Sequence, residues 1–118
     1  MPDIVALVTD LIFASRIESA ARGASVSVES VRTLEALTDA VESRCPATVL
    51  IDLSAAGGHA TDAIQLVHGQ RPRPLIVAFG SHVDGEAMHA ARQAGADRVM
   101  ARSQFVAELA RILSRDEP

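Results

Sequence analysis

The stretch "VLIDLSAAGG" (residues 49–58) decides how this chain is read. Three residues of a continuous apolar run, with the branching of a buried strand, close on a carboxylate, Asp52, and then give way to small residues that form a turn. A strand that is apolar on both faces belongs in a parallel sheet covered by helices on either side. In such sheets the working crevice lies at the carboxyl ends of the strands. Asp52 therefore has two readings: an acid that caps a turn, or an acidic site that holds a metal or receives an anionic group.

Working outward, the same pattern recurs. "IVALVT" (4–9) and "PLIVAF" (74–79) are continuous apolar runs, "SVSVES" (25–30) alternates as an edge strand does, and "DRVMA" (97–101) is a short fifth strand. Between them lie amphipathic helical segments. The first carries Phe13, Ile17 and Ala20 on one face and closes at Gly23. The second is capped by Thr33, carries Leu34, Leu37 and Val41, and ends before Pro46. A third carries Ala60, Ile64 and Val67. A fourth is capped by Asp84 and stops at Gly95, and a last helix, capped by Ser103, carries Val106, Leu109 and Leu113. Five strands alternating with five helices predict a three-layer α/β/α sandwich around a parallel sheet. The 118 residues are expected to form one domain, 1–118, with a frayed tail at 114–118.

Composition removes several functions. The chain carries 11 basic and 15 acidic residues, three aromatic residues and no basic cluster, which excludes a nucleic-acid footprint. No apolar run approaches the ~20 residues that span a bilayer, and no basic-then-apolar leader opens the chain, so neither membrane nor secretion is expected. The single cysteine, Cys45, excludes an internal disulfide and cysteine-cluster metal sites, and suits a reducing cytoplasm. All 11 basic residues are arginine, so any chemistry that needs a lysine amine is excluded.

The candidate site residues are those that end the strands: Thr9–Asp10, Asp52, Gly80–Ser81–His82 and Arg102–Ser103. In a sheet ordered 2-1-3-4-5, Asp10 and Asp52 fall on neighbouring strands, where two carboxylates repel unless a proton or a hard cation such as Mg2+ lies between them. Ser81, His82 and Arg102 then supply a hydroxyl, an imidazole and a guanidinium for an anion. Each has a plainer reading: Asp10 as a helix cap, His82 as a loop residue, and Arg102–Ser103 as a cap with a salt bridge to Asp52 or Asp10. His59, His68 and His89 lack ligand partners at useful spacing and are expected on the surface.

On these residues, the whole chain resembles the receiver domains of two-component response regulators, the CheY-like, flavodoxin-like fold. "VLIDL" matches the phosphoacceptor strand, and "ARQAGADRVMAR" (91–102) resembles the fourth-helix to fifth-strand segment. The segments "DLIF", "FGSHVD" and "RSQF" further resemble a subgroup of short, free-standing receiver-like proteins. The resemblance implies that Asp52 is the position that takes a phosphoryl group from a histidine kinase. It implies that Asp10 is one of the acids that hold Mg2+, that Ser81 is the hydroxyl contact, and that Arg102 stands where a lysine is usual. It also implies a partner surface on the fourth helix, fifth strand and fifth helix.

The departures matter. The usual acidic pair is reduced to "TD" (9–10), arginine replaces the lysine, Ser103 replaces a proline, and Val99 stands near the place of a switch aromatic. Arginine keeps the charge but has a planar fork and a longer reach, so the exchange is not conservative at a tight phosphoryl site. The expectation is an atypical, stand-alone receiver-like module (a pseudo-receiver) that signals through an unidentified protein partner. It is not an enzyme. The alternative is a phosphorylatable receiver using Asp52 with Mg2+. A small flavodoxin-like ligand-binding domain or enzyme ranks third, because neither G-x-G-x-x-G nor G-x-S-x-G occurs.

Overall fold

The computed structural model describes residues 4–55, 59–81 and 83–114. Strands β1 (Ile4–Leu7), β2 (Val28–Val31), β3 (Thr48–Asp52), β4 (Leu75–Gly80) and β5 (Arg98–Ala101) alternate with helices α1 (Leu11–Gly23), α2 (Leu34–Arg44), α3 (Ala60–His68) and α4 (Gly85–Ala94); α5 (Arg102–Ala107) and α6 (Leu109–Ser114) complete the series. All pairings are parallel and the order is β2-β1-β3-β4-β5, as the alternation predicts. No helix among the described residues is long and apolar enough to cross a membrane.

Side chains alternate across a strand, so each central strand feeds two cores. Val5, Leu7, Val49, Ile51, Ile76 and Ala78 pack beneath α2, α3 and α4, while Ile4, Ala6, Leu50, Val77, Phe79 and Met100 pack beneath α1, α5 and α6. Asp52 has the parity of Leu50, which aims its carboxylate toward the α1–α5 side. The caps form as predicted: Asp10 Oδ1 accepts the N–H groups of Ile12 and Phe13, Thr33 Oγ1 that of Ala36, and Asp84 Oδ1 that of Ala87.

Three expectations need correction. The edge strand lies at Val28–Val31 rather than 25–30, because Ser25 takes a left-handed conformation (φ 59°) at the turn leaving α1. The last helix is two, joined at Glu108, whose carboxylate accepts from Arg98 of β5 and from Gln104. And Ser103 is not a cap: α5 starts at Arg102, straight out of β5, with Ala101 extended and no side-chain cap bond.

One polar anchor and one tightly packed glycine mark the far end of the sheet. Asp97 accepts both Arg73 Nη1 and Nη2 and also the N–H of Ile76, tying the start of β4 to the start of β5. Gly95 takes φ 119° at the end of α4, where a Cβ would stand 2.5 Å from the His68 ring. His68 is exposed, as expected, and its ring lies against a glycine that cannot be replaced without moving it. Replacing Gly95 by alanine is expected to cost more than ~1 kcal/mol, read as a lower urea midpoint, since both the backbone angle and the ring oppose a side chain.

Burial acts to raise the Asp97 pKa, but hydrogen bonds from Arg73 and Ile76, with the charges of Arg73 and His68, outweigh it and leave the carboxyl below its ordinary value. A depressed folded-state pKa contributes stability that is present above the unfolded value of ~3.9 and disappears as pH falls through the folded value. Asp97→Asn is therefore expected to flatten the loss of thermal stability on acidification below about pH 4, measured as Tm against pH.

Candidate functional site

The site is assembled by the carboxyl ends of β3, β4 and β5. Asp52, Phe79 and Met100 are aligned across the sheet by register, and Leu53 continues β3 by donating its N–H to the Phe79 carbonyl at 2.9 Å. Asp52 is 1 % exposed, the only buried ionisable side chain among the described residues. A carboxylate so placed must be met by donors or a cation, because burying an unpaired charge costs many kcal/mol.

Those donors are present. Ser54 donates to Oδ1 through its N–H (3.0 Å) and its hydroxyl (2.8 Å), an Asx turn closed by the side chain. Arg102 Nη2 donates to Oδ1 at 3.2 Å and to Oδ2 at 3.3 Å, so it straddles the carboxylate from the first residue of α5. The Arg102 guanidinium lies 4.9 Å from the centroid of the Phe13 ring and 5.7 Å from that of Phe79. Phe79 and Phe105 stack with centroids 4.0 Å apart, and Phe13 tilts against both. These are all the aromatic residues of the chain. The cation is thus held between a carboxylate and an aromatic floor, two favourable surfaces at once. The sequence reading left this aromatic floor out. Its signal was available: each phenylalanine lies two or three residues from a polar strand-end residue, Phe13 from Asp10, Phe79 from Ser81 and Phe105 from Arg102.

Beside the pair is a pocket of about 100 Å³ lined by Leu53, Ser54, Gly80, Ser81, Asp84, Ala87 and Arg102. Gly80 keeps it open, since a Cβ there would stand 3.1 Å from Leu53 Cδ1. Ser81 lies in this wall with its hydroxyl accepting the N–H of Val83 at 3.3 Å. Asp84 faces the same pocket while capping α4. Of the candidate residues, Asp52, Ser81 and Arg102 therefore come together. Asp10 is exposed and committed to its helix cap, and His82 lies outside the described residues.

Magnesium takes oxygen donors in octahedral array and keeps several waters. Among the described residues no three acidic or histidine side chains converge to hold a metal. Both Asp52 oxygens already accept from Arg102, and Oδ1 accepts two further bonds. As arranged, this donor set does not fit a divalent cation, because a metal on Asp52 would have to displace the guanidinium.

No protein-family model matches the chain, and no curated protein matches it in sequence. Solved structures do match its fold. The receiver domain of the sensor histidine kinase PA1611 from Pseudomonas aeruginosa PAO1, with magnesium in its active-site cleft, superposes with a TM-score of 0.81 at 22% identity, covering 95% of this chain and 93% of that one. The receiver domain of NtrX from Brucella abortus superposes at 0.79 with 14% identity, covering 98% of this chain and all of that one. HP1043, an orphan response regulator of H. pylori, gives 0.79 at 16% identity over 97% of this chain and 95% of that one.

The pair is asymmetric, and so is the expected response to mutation. Arg102 keeps 36% side-chain exposure and loses little when its partner becomes neutral, whereas Asp52 without Arg102 is a buried, undercompensated charge. Arg102→Ala is expected to lower stability by about 1–3 kcal/mol, and Asp52→Asn by clearly less. Urea denaturation of both single variants and the double variant measures the difference and the coupling.

Proposed function

We propose that this chain, which has the response regulator receiver fold, is a pseudo-receiver: a signalling module that acts by binding another protein and does not switch through phosphorylation of Asp52. The observation that carries this reading is the Arg102–Asp52 pair. Transfer of a phosphoryl group to a carboxylate is catalysed almost entirely by positioning and by cations that neutralise the developing charge. The attacking oxygen must be free, and the cations must face the incoming group. Here both oxygens are engaged, and the cation at the end of β5 is spent on the acceptor itself. Arg102 supplies, permanently and without metal, the positive charge that would otherwise accompany a metal or phosphoryl site.

The remaining residues are consistent with binding rather than turnover. Ser81, Ser54 and Arg102 line a pocket of about 100 Å³, below the roughly 300–1,000 Å³ that ligand sites usually enclose. A cytoplasmic setting goes with this reading and suits the lone cysteine, Cys45.

The test is direct. The protein is incubated with acetyl phosphate and millimolar magnesium, and its intact mass is recorded before the acyl phosphate can hydrolyse. No phosphoryl adduct is expected, and the amide resonances of Asp52 and Ser54 are expected to stay in place through a magnesium titration. An adduct that disappears in Asp52→Asn would overturn the proposal and make the chain a magnesium-dependent phosphoacceptor.

A further inference from the structure

A second, larger concavity shares Ser81 and Arg102 with the Asp52 pocket. It is a groove of about 650 Å³ between α1 and α5, lined by Phe13, Arg16, Ser81, Arg102, Ser103 and Val106. Its charge is of one sign, with two arginines and no acid, in a chain of net charge −4. The Arg16 side chain makes no ion pair or hydrogen bond with other described residues. Arg102 commits only Nη2 to Asp52, which leaves its Nε and Nη1 hydrogens without a protein acceptor among the described residues. A guanidinium has five donors in a planar fork, and unused ones over an apolar wall are strong carboxylate receptors.

The apolar surface around the groove points the same way. The large hydrophobic side chains exposed among the described residues are Leu11, Ile12 and Val83, and all three lie at this end of the molecule. Ile12, 83% exposed, is four residues before Arg16 and so shares its helix face; Val83, 79% exposed, follows Ser81 by two residues. None lies on α4, β5 or α5, the surface that the family resemblance favours. Exposed aliphatic side chains bordering a cationic groove mark a protein contact.

We propose that this groove docks an acidic, apolar segment of the partner protein. Two partner carboxylates sit on Arg16 and on the free edge of Arg102, and an aliphatic side chain lies between them over Phe13 and Val106. The proposal rests on the interaction-module reading above and gives the partner its chemistry. It also gives the Asp52–Arg102 pair a second role: Asp52 fixes the guanidinium, so that its remaining donors are presented to the groove already oriented, which lowers the entropic cost of binding.

A random dodecapeptide library selected on the folded protein tests this, without magnesium or phosphodonor, so that phosphorylation of Asp52 in the preceding experiment would leave its outcome untouched. Enriched peptides are expected to carry at least two Asp or Glu residues around Leu, Ile or Phe, and to bind several-fold more weakly at high salt. Arg16→Glu and Ser103→Glu, both at exposed positions in the groove lining, are each expected to weaken binding at least tenfold. Arg22→Glu, on the same helix outside the groove, is expected to change it little. No enrichment, enrichment of basic sequences, or binding unaffected by both groove variants would overturn the proposal. So would dimerisation of the free protein, seen by light scattering, that Ile12→Glu abolishes, since a second copy would then be the occupant.

Discussion

A carboxylate that ends a buried strand must be answered, and the arrangement around the site follows from how this one is answered. Asp52 is desolvated because β3 is the centre of the sheet, with β1 and β4 on its flanks and helices on both faces. Water is not available to it in quantity, so its charge depends on Ser54 beneath and Arg102 above. Serine satisfies hydrogen-bonding capacity but brings no charge. Arginine brings the charge, and its planar fork allows one nitrogen to straddle both oxygens while the rest of the group faces elsewhere.

Reaching Asp52 from β5 requires Arg102 to leave its strand and turn at once, and the chain does this by starting α5 on Arg102 itself. The missing side-chain cap at Ala101 is the local counterpart. A helix begun without a cap residue forgoes roughly 1 kcal/mol, and here the first residue is tied to a buried partner instead. Phe13 and Phe79 then form the floor on which the guanidinium rests, with Phe105 stacked on Phe79. Gathering every aromatic residue of the chain into this one cluster concentrates the large, rigid side chains where the position of a charge must be fixed, and leaves the opposite core to aliphatic packing.

Much of the fold was legible because parallel sheets write themselves in continuous apolar runs. "IVALVT", "ATVLID" and "PLIVAF" need burial on both faces, and the intervening stripes supply it, so strand order and layer count follow. Caps at Asp10, Thr33 and Asp84 were legible for a local reason: each bonds a backbone N–H two or three residues away. The errors fell where distant residues overrule local pattern. Ser103 has the chemistry of a cap, but the pull of Asp52, fifty residues earlier, makes Arg102 helical and moves the start of the helix. Leu109 and Leu113 continue the stripe of Val106, but the chain turns at Glu108, where Arg98 and Gln104 hold the carboxylate.

By itself the sequence determined that Asp52, Ser81 and Arg102 end three strands, because strand ends are set by periodicity and turn residues close in the chain. It also determined that every basic side chain is an arginine, since the chain has no lysine. It left open whether Arg102 answers Asp52 or Asp10, since both acids end or follow a strand at the same edge. The tertiary structure decided that point. Asp10 lies past the end of β1 and is hydrogen-bonded by the N–H groups of its own helix, whereas Asp52 is inside the sheet with a side-chain parity that faces α5. A guanidinium pairs with the carboxylate that has lost the most water, and burial of that kind is a property of the packed sheet rather than of any segment of the chain.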